Sequence, residues 1–504
     1  PSFASWGLKL LRLTAALGMG GNGRDPRSID YINTYCRSRI GGGLQCDVSS
    51  TKGRVLRAGR RYERGTALFV EPPLLLVAEA PENAAFQRVQ QVVVSRGFAH
   101  SPLWYWSALC SLTSEDLVAC AISVPAASIE QQTQLLLLCQ PEVNETSPDI
   151  SLLTEELWSA ASQSRRRAVS AKLERLLAVW LLNCFEHSED PVGFSTFFLP
   201  SFLSHSCRPN CMWHYNGDDF VLRAREDIAA KDEVTVSYLS EEALLSSTAS
   251  RRRQLEVTKH FVCYCERCTM ALDQVRGFAC PSCKGGELFL DVSRSLPKAS
   301  PDGACNVCGF VANAAQVSQL CAQEARVEDL MQEWDRRAVN ASPDLYLTDA
   351  AALRLEMNLE GLFSVHHWLR DRAGRHLVAY YEATGRADLA LPLAKRCVEF
   401  TMETYPGFSA LHAWALETQG DLLLRLEGFL LAGPTQVEAP IGVSSDVLAR
   451  AWRAVGPIYA EAVKTLCTLF GEEHDFHTTM REKYESLARS TKGVHGSGPT
   501  RESF

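Results

Sequence analysis

The strongest constraint on what this chain can fold into is a set of cysteines between positions 204 and 268. Three stand in C-Y-C-E-R-C at 263–268, and another stands in S-H-S-C-R-P-N at 204–210. Such close pairing is typical of metal thiolates, and a tetrahedral zinc site needs four ligands. Cys207 is the best candidate for the fourth ligand, with Cys211 as the rival. A shared ion would place Phe261 over whatever the Cys207 loop binds. The predicted ligands are Cys207, Cys263, Cys265 and Cys268.

A second cysteine group consists of C-P-S-C at 280–283 and C-N-V-C at 305–308. Two such pairs separated by a loop-rich spacer predict another tetrahedral zinc site. Four thiolates leave no open coordination position, so we predict a structural ion that replaces the core a segment of ~40 residues cannot supply. The ligands are Cys280, Cys283, Cys305 and Cys308. Clusters of this kind among 18 cysteines indicate a reducing compartment rather than a disulfide scaffold.

Length and charge narrow the remaining possibilities. A chain of 504 residues predicts two or three domains. No apolar run is long enough to span a bilayer, and the net charge of −8 argues against broad binding of nucleic acid. The arginine triplets at 165–167 and 251–253 are interpreted as solvated helix faces. His366 and His367, in a stretch predicted to be helical, are expected to pack between helices.

Changes in hydrophobic periodicity divide the chain into segments. Strand patterns at 47–81 and 183–250 flank a helical insertion at 82–182. Successive amphipathic segments at 313–490 resemble stacked helical pairs of the tetratricopeptide kind, without a strict period. The remaining predicted segments are an N-terminal leader at 1–46, a zinc segment at 251–270, a zinc ribbon at 271–312 and a disordered tail at 491–504.

Several runs together resemble a known family. F-L-P-S-F-L-S-H-S-C-R-P-N-C at 198–211, the run ending E-V-T-V-S-Y at 238, and F-V-C-Y-C-E-R-C at 261–268 are similar to the SET domain and post-SET segment of protein lysine methyltransferases. T-K-G-R-V-L-R-A-G at 51–59 and L-L-N-C-F-E at 181–186 are similar to earlier SET segments. With E-T-Y-P-G-F-S-A-L and L-F-G-E-E-H downstream, the likeness is greatest to the SMYD group. Residues 78–160 lack the dense Cys/His pattern of a MYND finger, as in an apicomplexan group that includes an apical-complex lysine methyltransferase.

The resemblance implies an α+β fold with a knotted β-clip SET domain carrying the helical insertion, a zinc-binding post-SET segment, a zinc ribbon and an all-α tetratricopeptide-like C-terminal domain. It implies methyl transfer from S-adenosylmethionine to a lysine of a histone or non-histone protein, with two structural zinc ions. Tyr238 would be the catalytic residue. The residues implied to bind the methyl donor are Lys52, Gly53, Arg54, Asn183, Ser204, His205, Tyr238 and Phe261.

The implied setting is cytoplasmic or nuclear, with the apical cytoskeleton as the site if the chain is apicomplexan. A lysine-bearing protein is the expected substrate, and the helical C-terminal domain is expected to bind protein partners. The sequence departs from the family at Ser204, where asparagine is usual, and at Lys259, where a second channel aromatic is usual. These departures support an alternative, a weakly active or inactive SET scaffold that binds partners through its helical repeats.

Overall fold

The computed structural model describes residues 26–140, 145–291, 303–338, 355, 359, 361–405, 407 and 409–491. The predicted tail beyond 491 and most of the predicted leader therefore lie outside the described residues. The chain divides into two units. The first unit comprises residues 2–205 and 209–236, and the second comprises residues 206–208 and 237 onward. In the described ranges, no helix has both the length and the apolar composition needed to cross a bilayer.

Short antiparallel sheets form the β part of the first unit. One is the hairpin β1–β2, and the others have the strand orders β3-β9-β8 and β4-β6-β5. A parallel pair, β7–β10, joins residues far apart in the chain. The strands are β1 Leu44–Ser49, β2 Gly53–Ala58, β3 Ala67–Glu71, β4 Leu75–Ala78, β5 Cys184–Glu189, β6 Val192–Thr196, β7 Ser204–His205, β8 Cys211–Asn216, β9 Asp219–Ala224 and β10 Thr235–Val236.

Four helices of the first unit begin at residues whose side chains cap the first turn. Asn83, Ser128, Ser147 and Ser162 each accept a backbone N–H of the first turn, which satisfies a donor that the helix itself leaves unpaired. The helices are α1 Pro26–Ile40, α2 Ala84–Arg96, α3 Pro102–Cys110, α4 Ile129–Leu137, α5 Pro148–Leu157 and α6 Gln163–Asn183. The helices α2–α6 correspond to the helical periodicity of 82–182, whereas α1 lies inside the segment assigned as a leader, and its Ile32 and Cys36 belong to the core.

The second unit begins with short helices and a three-stranded sheet of order β12-β11-β13, followed by helices in which each packs on the next. The elements are α7 Glu241–Leu244, α8 Thr248–Lys259, α9 Glu266–Thr269, β11 Leu272–Ala279, β12 Glu287–Asp291, α10 Ala314–Ala338, β13 Phe363–His367, α11 Trp368–Ala383, α12 Ala387–Thr404, α13 Ala410–Leu426, β14 Leu430–Ala432, β15 Gln436–Glu438, α14 Ser445–Phe470 and α15 Asp475–Ser490. The C-terminal region is therefore predominantly helical, with the hairpin β14–β15 between α13 and α14.

The expected helical setting of His366 and His367 is wrong. Both histidines lie in β13, which pairs with β11, and the helix α11 begins only at Trp368. His367 is fully buried, and its ring stacks on Phe363 with the centroids 3.8 Å apart. The pairing partner is about ninety positions upstream, so the local pattern could not have indicated the strand.

Candidate functional site

The first cysteine group lies entirely in the second unit. The Sγ atoms of Cys207, Cys263, Cys265 and Cys268 all lie within 4.8 Å of one another. The Cys207–Cys263 and Cys207–Cys268 sulfur distances are 4.0 and 3.5 Å. Zinc–sulfur bonds of about 2.3 Å in a tetrahedron separate the sulfurs by about 3.8 Å, so the arrangement fits one such ion. Among the described residues the group contains Cys207 and not its rival Cys211, a buried residue of β8.

Three arginines surround this cysteine group. Arg251 is 0% exposed, and its guanidinium donates to Thr248 Oγ1 at 2.9 Å, to the Ser246 carbonyl and to Cys268 Sγ at 3.8 Å. Arg252 donates to the carbonyls of Cys263 and Cys268, both at 2.9 Å. Arg267 donates to the Cys207 carbonyl at 3.2 Å. The interpretation of 251–253 as a solvated helix face is therefore wrong for Arg251.

The burial of Arg251 beside sulfur atoms raises the question of which charge compensates its guanidinium. Burying a charge is costly unless an opposite charge compensates it. Burial alone would lower the pKa of Arg251, but the negative charge of Cys207, Asp273 and Cys268 outweighs that effect and raises it. A zinc ion with four thiolates carries a net negative charge, and Arg251 lies where that charge would need a partner.

The second cysteine group joins the end of β11 to the segment after β12. Its sulfurs also lie within 4.8 Å of one another, with Cys280–Cys308 and Cys283–Cys305 distances of 3.7 Å. Cys283 and Cys308 are exposed. A Cβ added to Gly286 would meet Cys305 Sγ at 2.4 Å, so only glycine lets the backbone pass this close. This group too fits a tetrahedral structural metal.

Tyr238 and Phe261 lie together in the second unit. Their rings are nearly perpendicular, with centroids 6.3 Å apart, and Tyr238 is 41% exposed. The Nζ of Lys259 lies over the Tyr238 ring, 5.8 Å from its centroid. His260, between Lys259 and Phe261, has a left-handed backbone with φ 59° and ends α8. Lys259 thus contacts the predicted catalytic residue itself.

Three predicted donor-binding residues of the first unit lie at the start of β2: Lys52 directly precedes the strand, and Gly53 and Arg54 are its first two residues. Gly53 has φ +75°, which favours glycine, and nothing lies within 4 Å of the position of an added Cβ. Lys52 forms an ion pair with Glu233 at 2.8 Å. The Arg54 guanidinium lies 4.8 Å from the centroid of the Phe202 ring, and burial lowers its pKa. The start of β2 therefore combines an open backbone with two cations.

Ser204 and His205 form the strand β7 of the first unit and are both buried. β7 pairs in parallel with Thr235 and Val236. Asn210 supports this crossing, since its amide donates to the Glu233 carbonyl at 2.8 Å and accepts the Thr235 N–H at 2.8 Å. A polar asparagine directly after H-S-C-R-P was a signal that could have identified this supporting role.

Asn183 is the last residue of α6 and is buried. Its side-chain amide donates to the carbonyls of Cys139 and Val179, at 2.7 and 2.8 Å. Both N–H bonds of the amide thus point to the chain itself, and the side-chain oxygen is the atom that remains to accept a hydrogen bond from a ligand.

Glu71 is a supporting residue that the sequence reasoning missed. It is 5% exposed, and its carboxylate accepts the backbone N–H groups of Phe198 and Leu199 at 2.6 and 3.1 Å. These bonds fix the turn that leads into Ser204. Burial raises the pKa of Glu71 from 4.5 to about 7. An acid at the end of the apolar run A-L-F-V-E was the available signal.

Comparisons with known proteins agree with these features. Residues 53–239 match the SET domain family. SET domain-containing protein SmydA-8, isoform B, from Drosophila melanogaster is 38% identical over 100 residues, 19% of this chain and 22% of that protein. Human histone-lysine N-methyltransferase SMYD3 is 40% identical over 77 residues, 15% of this chain and 17% of that protein. The chain thus spans about a fifth of the length of these relatives.

The alignment with the solved structure described as Rubisco LSMT bound to AdoMet covers 75% of this chain and 92% of that chain, with 13% sequence identity and a TM-score of 0.26. An identity and a TM-score this low do not establish a shared fold. The match over 53–239 and the SMYD relatives show that this chain contains a SET domain related to those of SMYD proteins. The matched region includes Gly53 and Arg54 at the start of β2, Asn183, β7 and Tyr238.

Proposed function

We propose that the chain is a protein-lysine N-methyltransferase that uses S-adenosylmethionine. The observation that supports this most is the SET match, which ends at residue 239 and so includes Tyr238, the exposed tyrosine paired with Phe261. The relatives named as histone-lysine N-methyltransferases support the same activity. Histone and non-histone lysines both remain candidate substrates.

The donor, when bound, supplies an electrophilic methyl group on a sulfonium, so the protein's task is chiefly alignment and desolvation. We assign the first unit's residues to the methionine end of the donor. Lys52, Arg54 and the Ser204 hydroxyl would donate to its carboxylate, and Asn183 Oδ1 and the backbone near His205 would accept from its ammonium. The open backbone at Gly53 fits a ligand that approaches closely.

On the acceptor side, we assign Tyr238 to the orientation of the substrate amine through its hydroxyl, and Phe261 to a wall of the lysine channel. Apolar walls disfavour the ammonium form of the substrate, so the amine loses its proton to water before transfer. No side-chain base is then required. The finer parts of the assignment are also proposals: two structural zinc ions on the two cysteine groups, the knotted β-clip, the tetratricopeptide-like repeats and a binding role for them.

Two further proposals come from the resemblance alone. The chain would belong with the SMYD-related proteins that lack a MYND finger, because residues 78–160 contain only three cysteines and one histidine. Among those proteins it would belong with the apicomplexan group. A cytoplasmic or nuclear site would follow, or the apical cytoskeleton in such a parasite.

The test uses the full chain with histones and a lysine-peptide array, with calorimetry for donor binding. We expect Tyr238→Phe to lower turnover by about 10²–10³-fold, the usual effect of losing one hydrogen bond made in the transition state, with donor binding retained. Tyr264→Phe is the matched control, because Tyr264 is a nearby tyrosine that is 75% exposed. Absence of both donor binding and methyl transfer in the wild-type chain would favour the alternative of an inactive scaffold, which Ser204 and Lys259 support.

A further inference from the structure

Lys259 is held at the face of Tyr238 by the end of a helix. It is the last residue of α8, and the backbone of His260 turns left-handed there, with its N–H bonded to the Glu256 carbonyl at 3.1 Å. The next residue, Phe261, places its ring beside that of Tyr238, nearly perpendicular to it. Lys259 and Phe261, which flank His260 at this helix end, therefore both contact the same tyrosine.

The ammonium of Lys259 interacts with an aromatic ring rather than with an acid. In the ranges that the structure describes, no carboxylate lies within 4 Å of its Nζ, whereas the Tyr238 centroid is 5.8 Å away. Aromatic faces bind ammonium groups and their methylated forms, as the cages that recognise methyl-lysine show. The Lys259 amine therefore lies beside Tyr238 and the nearly perpendicular ring of Phe261, the two residues assigned above to the acceptor side.

We propose that Lys259 is itself a methyl acceptor, so that the chain methylates its own α8 terminus. The proposal rests on the proposed function, since the same sulfonium donor supplies the group. The Lys259 amine first loses a proton to water. Its lone pair then forms the N–C bond while the C–S bond breaks, and the bond's electron pair leaves with the sulfur as a neutral thioether. The product forms directly as a methylammonium cation, which keeps both protons of the amine and takes up no further one, so it retains its attraction to the Tyr238 face.

The tether makes this reaction intramolecular. An acceptor fixed to the same chain is present at an effective concentration of about millimolar, whatever the protein concentration. The fraction of chains labelled per unit time should therefore stay constant when the protein is diluted about tenfold. Transfer between two copies would instead slow in proportion to the dilution.

The experiment incubates the full chain with S-adenosylmethionine carrying an isotopically labelled methyl group and locates the label by peptide mass spectrometry. We expect label on Lys259, complete loss of that label in Lys259→Arg, and its retention in Lys284→Arg, which changes an exposed lysine of the second unit. Tyr238→Phe should lose most of it. Zinc content and circular dichroism of Lys259→Arg establish that the variant is folded.

The outcomes separate this proposal from the proposed function. If histones or peptides are methylated while Lys259 stays unlabelled, self-methylation is wrong and the enzyme activity stands. If labelling of Lys259 slows with dilution, the intramolecular geometry is wrong. If the wild-type chain neither binds the donor nor methylates any substrate, the proposed function fails, and this inference fails with it.

Discussion

Replacing Arg251 with methionine removes the most deeply buried cation beside the first cysteine group while keeping a side chain of similar length. Arg251 is fully buried and donates to Cys268 Sγ, Thr248 Oγ1 and the Ser246 carbonyl. If Cys207, Cys263, Cys265 and Cys268 hold zinc as thiolates, the methionine leaves a buried negative centre with less compensation. The ion should then be held less tightly.

The size of the effect follows from the geometry. Two unit charges 3.8 Å apart interact by about 4 kcal/mol at an effective dielectric constant near 20, which is an upper bound for the Arg251–Cys268 contact. The net effect is smaller, because the guanidinium also gave up its hydration and because four sulfurs share the charge. Losing a partner of a metal ligand typically lowers metal affinity about 10–100-fold. We expect the upper half of that range, because the Arg251 side chain is fully buried.

The assay is competition with a chromogenic chelator on the folded full chain, which reports release of both ions. The slow phase should belong to the buried Cys207 group and the fast phase to the ribbon, where Cys283 and Cys308 are exposed. Arg251→Met should accelerate only the slow phase. Arg253→Met is the matched control, because Arg253 lies on the same helix and its side chain is 61% exposed. Equal release from both variants would refute charge compensation by Arg251.

Two further changes test other parts of the structure. Cys283→Ser should reduce the bound zinc from two ions to one and abolish the fast phase of release, as measured by elemental analysis and chelator competition; retention of two ions would contradict the ribbon site. For Glu71, the pKa of about 7 lies above the ordinary 4.5, so the folded state binds the extra proton and stability falls as pH rises from 4.5 to 7, by up to about 3 kcal/mol. Glu71→Gln should flatten that slope in urea unfolding at several pH values, and an unchanged slope would show that another group causes it.

The two four-cysteine groups could be predicted from the sequence because their signal is local. C-x-C and C-x-x-C spacings put sulfurs on one short loop whatever the rest of the fold does, and Cys207 followed from the need for a fourth ligand. The buried arginines could not be predicted in this way. A triplet R-R-R on a helix presents its members about 100° apart, and which member faces inward depends on the packing of α8. Arg251 faces the sulfurs, while Arg253 is exposed.

Supporting residues were missed for a similar physical reason. Glu71 accepts a hydrogen bond from a backbone N–H 127 positions away. Asn210 donates one to a backbone carbonyl 23 positions away. Sequence patterns report the periodicity of an element and not its partners, so the role of a buried polar residue appears only once the chain is folded. Asn183 illustrates the limit: its position at a helix end matched the motif, but the bonds of its amide to Cys139 and Val179 could not be read from it.

The two groups each contain four cysteines but differ in their surroundings. This difference determines in which group the replacement of a nearby arginine should weaken metal binding. In the ribbon, exposed sulfurs can be solvated by water, which stabilises the negative charge of a four-thiolate ion without help from side chains. In the Cys207 group three ligands are almost completely buried, so fixed donors must replace that water. Arg251, Arg252 and Arg267 supply them, two through carbonyls of the ligand residues and one through sulfur. These bonds also connect α8, which ends at Lys259, to the four cysteines. If the cysteines hold zinc, loss of the ion should therefore disturb the position of Lys259 and Phe261 at Tyr238.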